Sequence, residues 1–425
     1  VTWKGDFRIS INSLESGPGK AGLVALRTGQ ISIPSGGVRR FTADLDARGL
    51  DPWEHDRPIL YRLVIEADGG FRVSFPFGYR QIAQRRHELF LNGKKIHLFT
   101  ASIGPGLTRE ALAARIRQLK SLNINAVRFH GSIFPEWVYD LTDRLGILVI
   151  GESALYGSGV TQFNYESEQF FKNAAAHWRG LVRKFRNHPS VIVYSIENEC
   201  VEYSRGKRAE AKFAELGRKV KKWDPTRPVL FNGGDDPGGA ADIISLHYPH
   251  ELPFWNQYPR DAWWLRKAFE KSGVAIDSFW YRKPHHKWIW KKNKPLDIGE
   301  IGYPTGGEPH SAAVLLGDIA YGIPVRTAQD MAQAEIWKHS VDAARALDVA
   351  MINPWNPPAG ERANAALREA YRPVRIIPEP ENPVRFYSGA RTLWKGALVN
   401  DTRESQKLVL SYRLEGNDNR GFEVD

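Results

Sequence analysis

The first part of the chain alternates. Phe7-Arg8-Ile9-Ser10-Ile11, Tyr61-Arg62-Leu63-Val64-Ile65 and Phe71-Arg72-Val73-Ser74-Phe75 switch between apolar and polar at almost every residue. That is the period of strands with one face toward a core and one toward water. Gly and Pro separate the runs and mark turns. Residues 1–85 therefore read as a small β-sandwich. From residue 86 the pattern changes. Short apolar runs appear at Ile96–Phe99, Ala126–His130, Ile147–Ile150, Val191–Val193, Val229–Phe231, Ile243–His247, Pro295–Ile298 and Val349–Ile352. Runs apolar on both faces suit a parallel sheet covered by helices. Between them, apolar residues recur every three or four positions. Leu112, Ile116 and Leu119 do so behind Thr108, which predicts a helix over 109–122 capped by Thr108. Further helices are expected near 135–145, 166–185 and 207–223. Eight strands with helices between most of them predict a (β/α)8 TIM barrel over 86–375. A doubly wound sheet would want an early Gly-rich phosphate turn, and the sequence has none. Residues 376–425 turn β-like again, at Arg391–Trp394 and Lys407–Tyr412, and read as the start of a further β domain. The fold class is thus α/β.

Composition narrows the function. A chain of 425 residues exceeds one compact domain. No apolar run approaches the ~18 residues of a membrane span. The start, Val-Thr-Trp-Lys, shows neither an initiator Met nor a signal peptide, as in a mature form or a piece of a longer chain. Compartment stays open, with secretion or the periplasm favoured; oligomeric state stays open too. The lone cysteine, Cys200, excludes an intramolecular disulfide framework and a Cys-based metal site. A net charge of +11 gives a basic surface that attracts polyanions. No basic recognition helix, RNP-type strand or zinc knuckle accompanies it, so nucleic acid is not an expected partner. The 14 Trp residues suit sugar platforms as well as cores.

The candidate chemistry lies at strand ends. The run His188-Pro189-Ser190-Val191-Ile192-Val193-Tyr194-Ser195-Ile196-Glu197-Asn198-Glu199 ends abruptly in carboxylates. In a barrel, that C-terminal end is where active sites are built. Glu300 ends the seventh strand, in Lys294-Pro295-Leu296-Asp297-Ile298-Gly299-Glu300-Ile301-Gly302-Tyr303. Strands four and seven face each other across a barrel mouth. Two carboxylates there can hydrolyse a glycosidic bond. One must stay protonated and the other ionised, and their like charges push the two proton affinities apart. By strand alternation Glu197 faces the same side as Glu199 and is a second candidate acid. Glu152, after strand three, reads as a residue that supports the site from behind or stands at its rim. His130 and His247 read as groups that place sugar hydroxyls or satisfy a core, and without further spaced ligands no metal is expected.

The run from His188 to Glu199 resembles the acid/base motif of family 2 glycoside hydrolases, and the run from Lys294 to Tyr303 resembles their nucleophile motif. Asp51-Pro52-Trp53-Glu54 and Phe77-Gly78-Tyr79-Arg80 resemble that family's immunoglobulin-like domain and its junction with the barrel. The resemblance spans about residues 50–356. It implies that Glu199 is the general acid/base and Glu300 the nucleophile. It implies further that Asn198 bonds the sugar 2-hydroxyl, that Arg128 keeps the nucleophile ionised, that Tyr248 touches it, and that Trp355 floors the sugar subsite. No cofactor is implied. The expected activity is that of a retaining exo-β-glycosidase, β-galactosidase-like. The chain departs from the family pattern at Thr100–Gly106, at Arg128-Phe129-His130-Gly131 and at Pro354-Trp355-Asn356-Pro357-Pro358. A β-uronide, mannoside or glucosaminide therefore stays open beside the galactoside. A non-catalytic carbohydrate-binding barrel is the rival, and the presence of both Glu199 and Glu300 argues against it. Residues 279–294 carry six Lys or Arg, four aromatics besides Phe279 and no acid. With Trp255, Trp263 and Trp264 they read either as a basic segment packed on the barrel or as an insertion at its mouth for anionic glycans.

Overall fold

The computed structural model describes residues 2–14, 23–46, 48–157, 164–204, 206–249, 260–269, 274–275, 287–302, 309–357, 359–382, 389, 391–407, 409, 413–414 and 422–423. The alternating N-terminal runs pair as an antiparallel sheet of order β2-β1-β3-β4, from β1 (Trp3–Ser13), β2 (Leu23–Ile33), β3 (Tyr61–Ala67) and β4 (Phe71–Phe77). Ile11, Ile59 and Tyr61 form its small core. These strands fit the expected sandwich domain. A three-stranded meander follows, β5 (Ile82–Arg85), β6 (Glu88–Leu91) and β7 (Lys94–Ile96).

The barrel then winds in the expected order. Its elements are β8 (Leu98–Ile103), α1 (Arg109–Ser121), β9 (Ala126–Phe129), α2 (Glu136–Leu145), β10 (Leu148–Glu152), α3 (Glu168–Phe185) and β11 (Val191–Asn198). The second half has α4 (Cys200–Ser204), α5 (Lys207–Trp223), β12 (Val229–Asn232), β13 (Ile244–His247), the short pair β14 (Val274–Ala275) and β15 (Lys287–Trp288), and β16 (Leu296–Ile301). It ends with α6 (Pro309–Leu316), α7 (Val325–Ala346), β17 (Met351–Pro354) and α8 (Glu361–Ala370). The sheet order is β12-β11-β10-β9-β8-β17-β16-β13. Its ladders are parallel. The end strands β12 and β13 meet through the isolated bridge Asp235–Ser245, so this is a nearly closed TIM barrel. Among the described residues no helix is long and apolar enough to cross a membrane.

The physical causes are those the pattern suggests. Thr108 caps α1, its hydroxyl oxygen accepting from the Ala111 N–H at 3.2 Å, and Leu112, Ile116 and Leu119 are buried against the sheet. Most barrel strands run further than their apolar runs. The first barrel strand reaches Ile103 and the eighth reaches Pro354. Their polar inward residues find partners inside the barrel: Thr100 Oγ1 donates to Ile352 O at 2.9 Å, and Asn353 Nδ2 donates to Ser102 Oγ at 3.0 Å and to Gly299 O at 2.8 Å. Buried polar groups with partners cost little, so the ladder continues through them.

The floor of the barrel is plugged by the meander. Leu89, Leu91, Ile96 and Trp53 share one cluster with inward residues such as Ile150, Val193 and Met351. Trp53 Nε1 donates to Asp143 O at 2.9 Å, and Arg80 donates to Pro189 O and Val191 O at 3.0 and 2.6 Å. Below the floor, Asp348 binds Lys95 at 2.7 Å and His97 at 2.8 Å. The other ring nitrogen of His97 meets Asp401, which also pairs with Arg345 at 2.6 Å. This cluster ties the meander and barrel to the C-terminal pair β18 (Val374–Pro378) and β19 (Gly396–Asn400). A last short pair is β20 (Arg413–Leu414) with β21 (Phe422–Glu423).

Candidate active site

Arg128 is the centre of the site. It emerges from β9 fully buried and spends its guanidinium on three strands. Nε donates to Glu152 Oε2 at 2.7 Å, Nη1 to Glu300 Oε1 at 2.8 Å, and Nη2 to Asn198 Oδ1 at 2.5 Å. Nη2 also lies 2.8 Å from His130 Nδ1. Burial works against the charge of Arg128, but Glu152 and Glu300 outweigh it and raise its proton affinity. Glu152 is buried as well, which opposes ionisation. The guanidinium overcomes this and holds the carboxyl down at about 2. Glu152 also accepts from the Gly131 N–H at 2.7 Å and from Ser195 Oγ at 2.8 Å. It is thus a buried counter-ion that supports the site from behind and does not stand at the rim.

Glu300, on β16, has both oxygens engaged. Arg128 holds Oε1, and the Tyr248 hydroxyl donates to Oε2. Glu199 follows β11 in a left-handed conformation, φ 54°, and Tyr248 follows β13 with φ 50°. Both are non-glycine residues in a sparsely populated region, an arrangement found where a site over-determines the backbone. The backbone N–H of Glu199 donates to Asn232 O at 2.8 Å. The strand end is therefore still tied to β12 at Glu199, just before α4 begins. Burial pushes Glu199 up to about 7, against the pull of Arg128 and His130. One oxygen of Glu199 and one of Glu300 lie within 4.8 Å of each other and of a His247 nitrogen. A cation could share these atoms only by displacing hydrogen bonds already made.

The structure brings Glu199, Glu300, Asn198, Arg128, His130, Tyr248 and Trp355 to one mouth. Trp355 presents its ring edge-on to His130, centroids 5.5 Å apart at 89°. Two residues stand apart from this group. His247 does not face the cavity: it is 1 % exposed, with Nδ1 2.9 Å from Glu199 Oε1 and Nε2 bonded to the Asn232 side chain. Burial lowers its proton affinity to about 4, so the ring is neutral near pH 7. Glu197 does not share the side of Glu199. A register shift between Ser195 and Asn198 breaks the alternation, and its Oε2 accepts from the Cys200 and Val201 N–H groups at the start of α4. Burial raises Glu197 to about 8.

Of the two readings of the aromatic-basic segment, its described residues follow the one in which it packs on the barrel. Trp263 and Trp264 are core residues. Trp290 is 2 % exposed and bonds Lys294 O at 3.0 Å. Lys292 donates to Leu347 O at 3.1 Å, and Lys294 pairs with Asp236 at 2.7 Å. These residues serve the floor end of β16, not the mouth. Trp255 and residues 276–286 lie outside the described residues. Sequence reasoning missed Asn232, Asp297 and Tyr156. Asp297 is buried, held by Ser245 Oγ at 2.8 Å and pushed by burial to about 7. Tyr156 packs edge-on against His130 at 5.3 Å. Only the position of Asn232 at the end of the fifth strand could have signalled a role.

A TIM barrel that gathers an arginine-clamped carboxylate and a second, buried one at the ends of strands four and seven defines a class of barrel hydrolase. Comparison places the chain within it. Residues 80–306 match the family described as "Glycosyl hydrolases family 2, TIM barrel domain"; the chain belongs to family 2 of the glycosyl hydrolases. Over 219 residues it is 30 % identical to a β-galactosidase of Alteromonas mediterranea and 31 % identical to one of Photobacterium profundum; each match covers 48 % of this chain and 20 % of the relative. The matched stretch thus spans about a fifth of those proteins. The fold is similar to that of a family 2 β-galacturonidase from Eisenbergiella tayi bound to galacturonate (TM-score 0.61, 18 % identity, 87 % of this chain and 66 % of that one). It is also similar to that of a Ruminococcus gnavus β-glucuronidase in complex with uronic isofagomine (TM-score 0.62, 17 % identity, 86 % and 64 %).

Proposed function

We propose that this chain is the catalytic part of a retaining exo-β-glycosidase, with Glu300 as nucleophile and Glu199 as general acid/base. The observation that carries the reading is the carboxylate pair. Oxygens of Glu199 and Glu300 approach within 4.8 Å. Retaining enzymes hold the pair about 5–5.5 Å apart, whereas inverting ones leave ~6.5–9.5 Å for a water. The electrostatics divide the roles. Arg128 and Tyr248 donate to both oxygens of Glu300 and favour its anion. Burial keeps a proton on Glu199 up to about pH 7. In the first half, Glu300 attacks the anomeric carbon while the Glu199 proton passes to the leaving oxygen. In the second, Glu199 takes a proton from water, the water oxygen bonds to the anomeric carbon, and the bond to Glu300 breaks. Asn198 accepts from Arg128 through Oδ1, which turns its amide N–H toward the space where a sugar hydroxyl would sit. Trp355 and His130 form the adjoining wall.

A β-galactoside is the substrate this reading favours. Both β-galactosidases are about 30 % identical over 219 residues, and the resemblance read from the sequence is β-galactosidase-like. A panel of aryl β-glycosides, with galactoside and glucuronide side by side, tests the choice. Trapping with an activated 2-deoxy-2-fluoro-β-glycoside tests the mechanism: peptide mapping should find the sugar on Glu300. Hydrolysis with inversion at the anomeric carbon, or a label on another carboxylate, would overturn it.

A further inference from the structure

The His247 ring sits in a fitted slot. A methyl group on Gly233 would stand 2.8 Å from the ring Cγ and Nδ1, and one on Gly299 would stand 2.9 Å from Nε2. Such contacts are not tolerated, so glycine at both places is what admits the ring. Gly233 also has φ +72°, a conformation glycine adopts without cost. The ring is 1 % exposed, and Glu199 stands between it and the mouth. Its hydrogen bond to the catalytic pair is therefore the one to Glu199, with Glu300 Oε1 3.8 Å from the same nitrogen.

An imidazole that is neutral carries one N–H, and its neighbours decide where. Nε2 faces the Asn232 side chain and Nδ1 faces Glu199 Oε1. With Asn232 Oδ1 toward the ring, its Nδ2 is left buried with no partner among the described residues. An orphaned N–H in a dry interior is costly, more so than an under-used carbonyl. A half-turn of the amide removes the cost. Nδ2–H then donates to Nε2, the ring proton sits on Nδ1, and Nδ1–H donates to Glu199 Oε1. That donation occupies Oε1 and leaves Oε2, with the catalytic proton, for the glycosidic oxygen. The same bond serves the carboxylate in the second half of the reaction, with no change of tautomer. Arg128, His130, Glu152 and Glu202 act on Glu199 as well, and Glu300 acts on the ring. Tyr248 packs on the ring at 5.4 Å, and Tyr156 and Asp297 complete the titratable surroundings. Within hydrogen-bond reach, however, the ring meets Glu199 and Asn232.

We propose that His247, oriented by Asn232 and seated between Gly233 and Gly299, is the positioning residue of the acid/base: its Nδ1–H fixes Glu199 Oε1 and presents Oε2 to the glycosidic oxygen. The proposal rests on the glycosidase reading above, and its test has one arm that does not need activity. In protein labelled with 15N-histidine, the His247 signals should show a protonated Nδ1 and a bare Nε2 at pH 6–7, and should respond to the titration of Glu199 but lose that response in Glu199→Gln. A protonated Nε2 would overturn the proposal whether or not any glycoside is cleaved. The second arm is kinetic. In His247→Leu, kcat/KM for an alkyl β-glycoside should fall about 30-fold or more, while that for a dinitrophenyl β-glycoside, which needs little protonation, should change less than about threefold. The basic limb of the pH profile should move up by about one unit, because a donor to the carboxylate is gone. His247→Asn, whose amide can still donate toward Glu199, should recover part of both effects. Equal loss on both substrates, or a limb that stays or moves down, would leave His247 as packing only. If the wild type cleaves no glycoside, the reaction assignment falls while the NMR arm still decides the positioning claim.

Discussion

Replacing Arg128 by Met should test the electrostatic core of the site. The side chain is fully buried and holds two buried carboxylates, Glu152 and Glu300, at 2.7 and 2.8 Å. Methionine has similar length but no charge. Breaking a buried pair by removing one partner costs about 3–5 kcal/mol, because the other charge stays buried and uncompensated. The depression of Glu152 from 4.5 to about 2 gives an independent figure of about 3 kcal/mol at pH 7. The sign with pH is definite. In the wild type the folded pKa of Glu152 is depressed, so its contribution is present above about 4.5 and is lost as pH falls toward 2. In Arg128→Met the folded pKa of Glu152 rises above the unfolded value. Its neutral form then fits, and stability lost at pH 7 should return in part at pH 5. Urea unfolding at the two pH values measures this. The double variant Arg128→Met/Glu152→Gln should be more stable at pH 7 than Arg128→Met, since one stranded charge is gone, yet remain inactive because Glu300 has lost its cation. A single variant that costs under about 1 kcal/mol, or a deficit equal at both pH values, would refute the reasoning.

Tyr248→Phe should slow formation of the glycosyl-enzyme about 10- to 100-fold, the worth of one hydrogen bond to a charged group, with little change in Tm; single-turnover kinetics would show it. His97, raised to about 9 between Asp348 and Asp401, stabilises the fold below about pH 6.5 and loses that contribution as pH rises through 9. The Tm of the wild type should therefore fall more between pH 7 and 9.5 than that of His97→Gln. Gly146→Ala should lower Tm sharply, because its φ is +63° and a methyl there would meet His55 O at 2.3 Å, whereas Gly180→Ala in α3, with nothing within 4 Å, should raise stability by about 0.5–1 kcal/mol.

Much of this architecture was legible because its signals are local. The run Val191–Val193 followed by Glu199, and the spacing of Leu112, Ile116 and Leu119, state strand and helix directly. Glu199, Glu300 and Arg128 were legible because each ends a recognisable strand. What escaped depends on contacts between distant segments. Thr100, Ser102 and Asn353 look like strand ends because they are polar, but their partners lie across the barrel. Glu197 fails the alternation rule because of a register shift that no residue type announces. His247 could be placed on its strand but not under Glu199, since that needs the position of Asn232 on the neighbouring strand. The Trp residues near 290 were ambiguous for the same reason: an indole suits a sugar face and a core equally until its neighbours are known.

The weakest join of the barrel runs through its most demanding spot. β12 and β13 form no continuous ladder: among the described residues they are joined by the bridge Asp235–Ser245, by Ile243 N–H to Val229 O at 3.2 Å and by the contact of Asn232 with His247, which stand on opposite banks of that seam. A slip of one residue between the two strands moves them by about 3.3 Å, enough to part Asn232, His247 and Glu199 while every helix and every other ladder stays intact. Thermal inactivation should then precede thermal unfolding. On heating, turnover would fade over several degrees in which far-UV ellipticity is unchanged, and on prompt cooling it would return, because what failed was an alignment and not the fold.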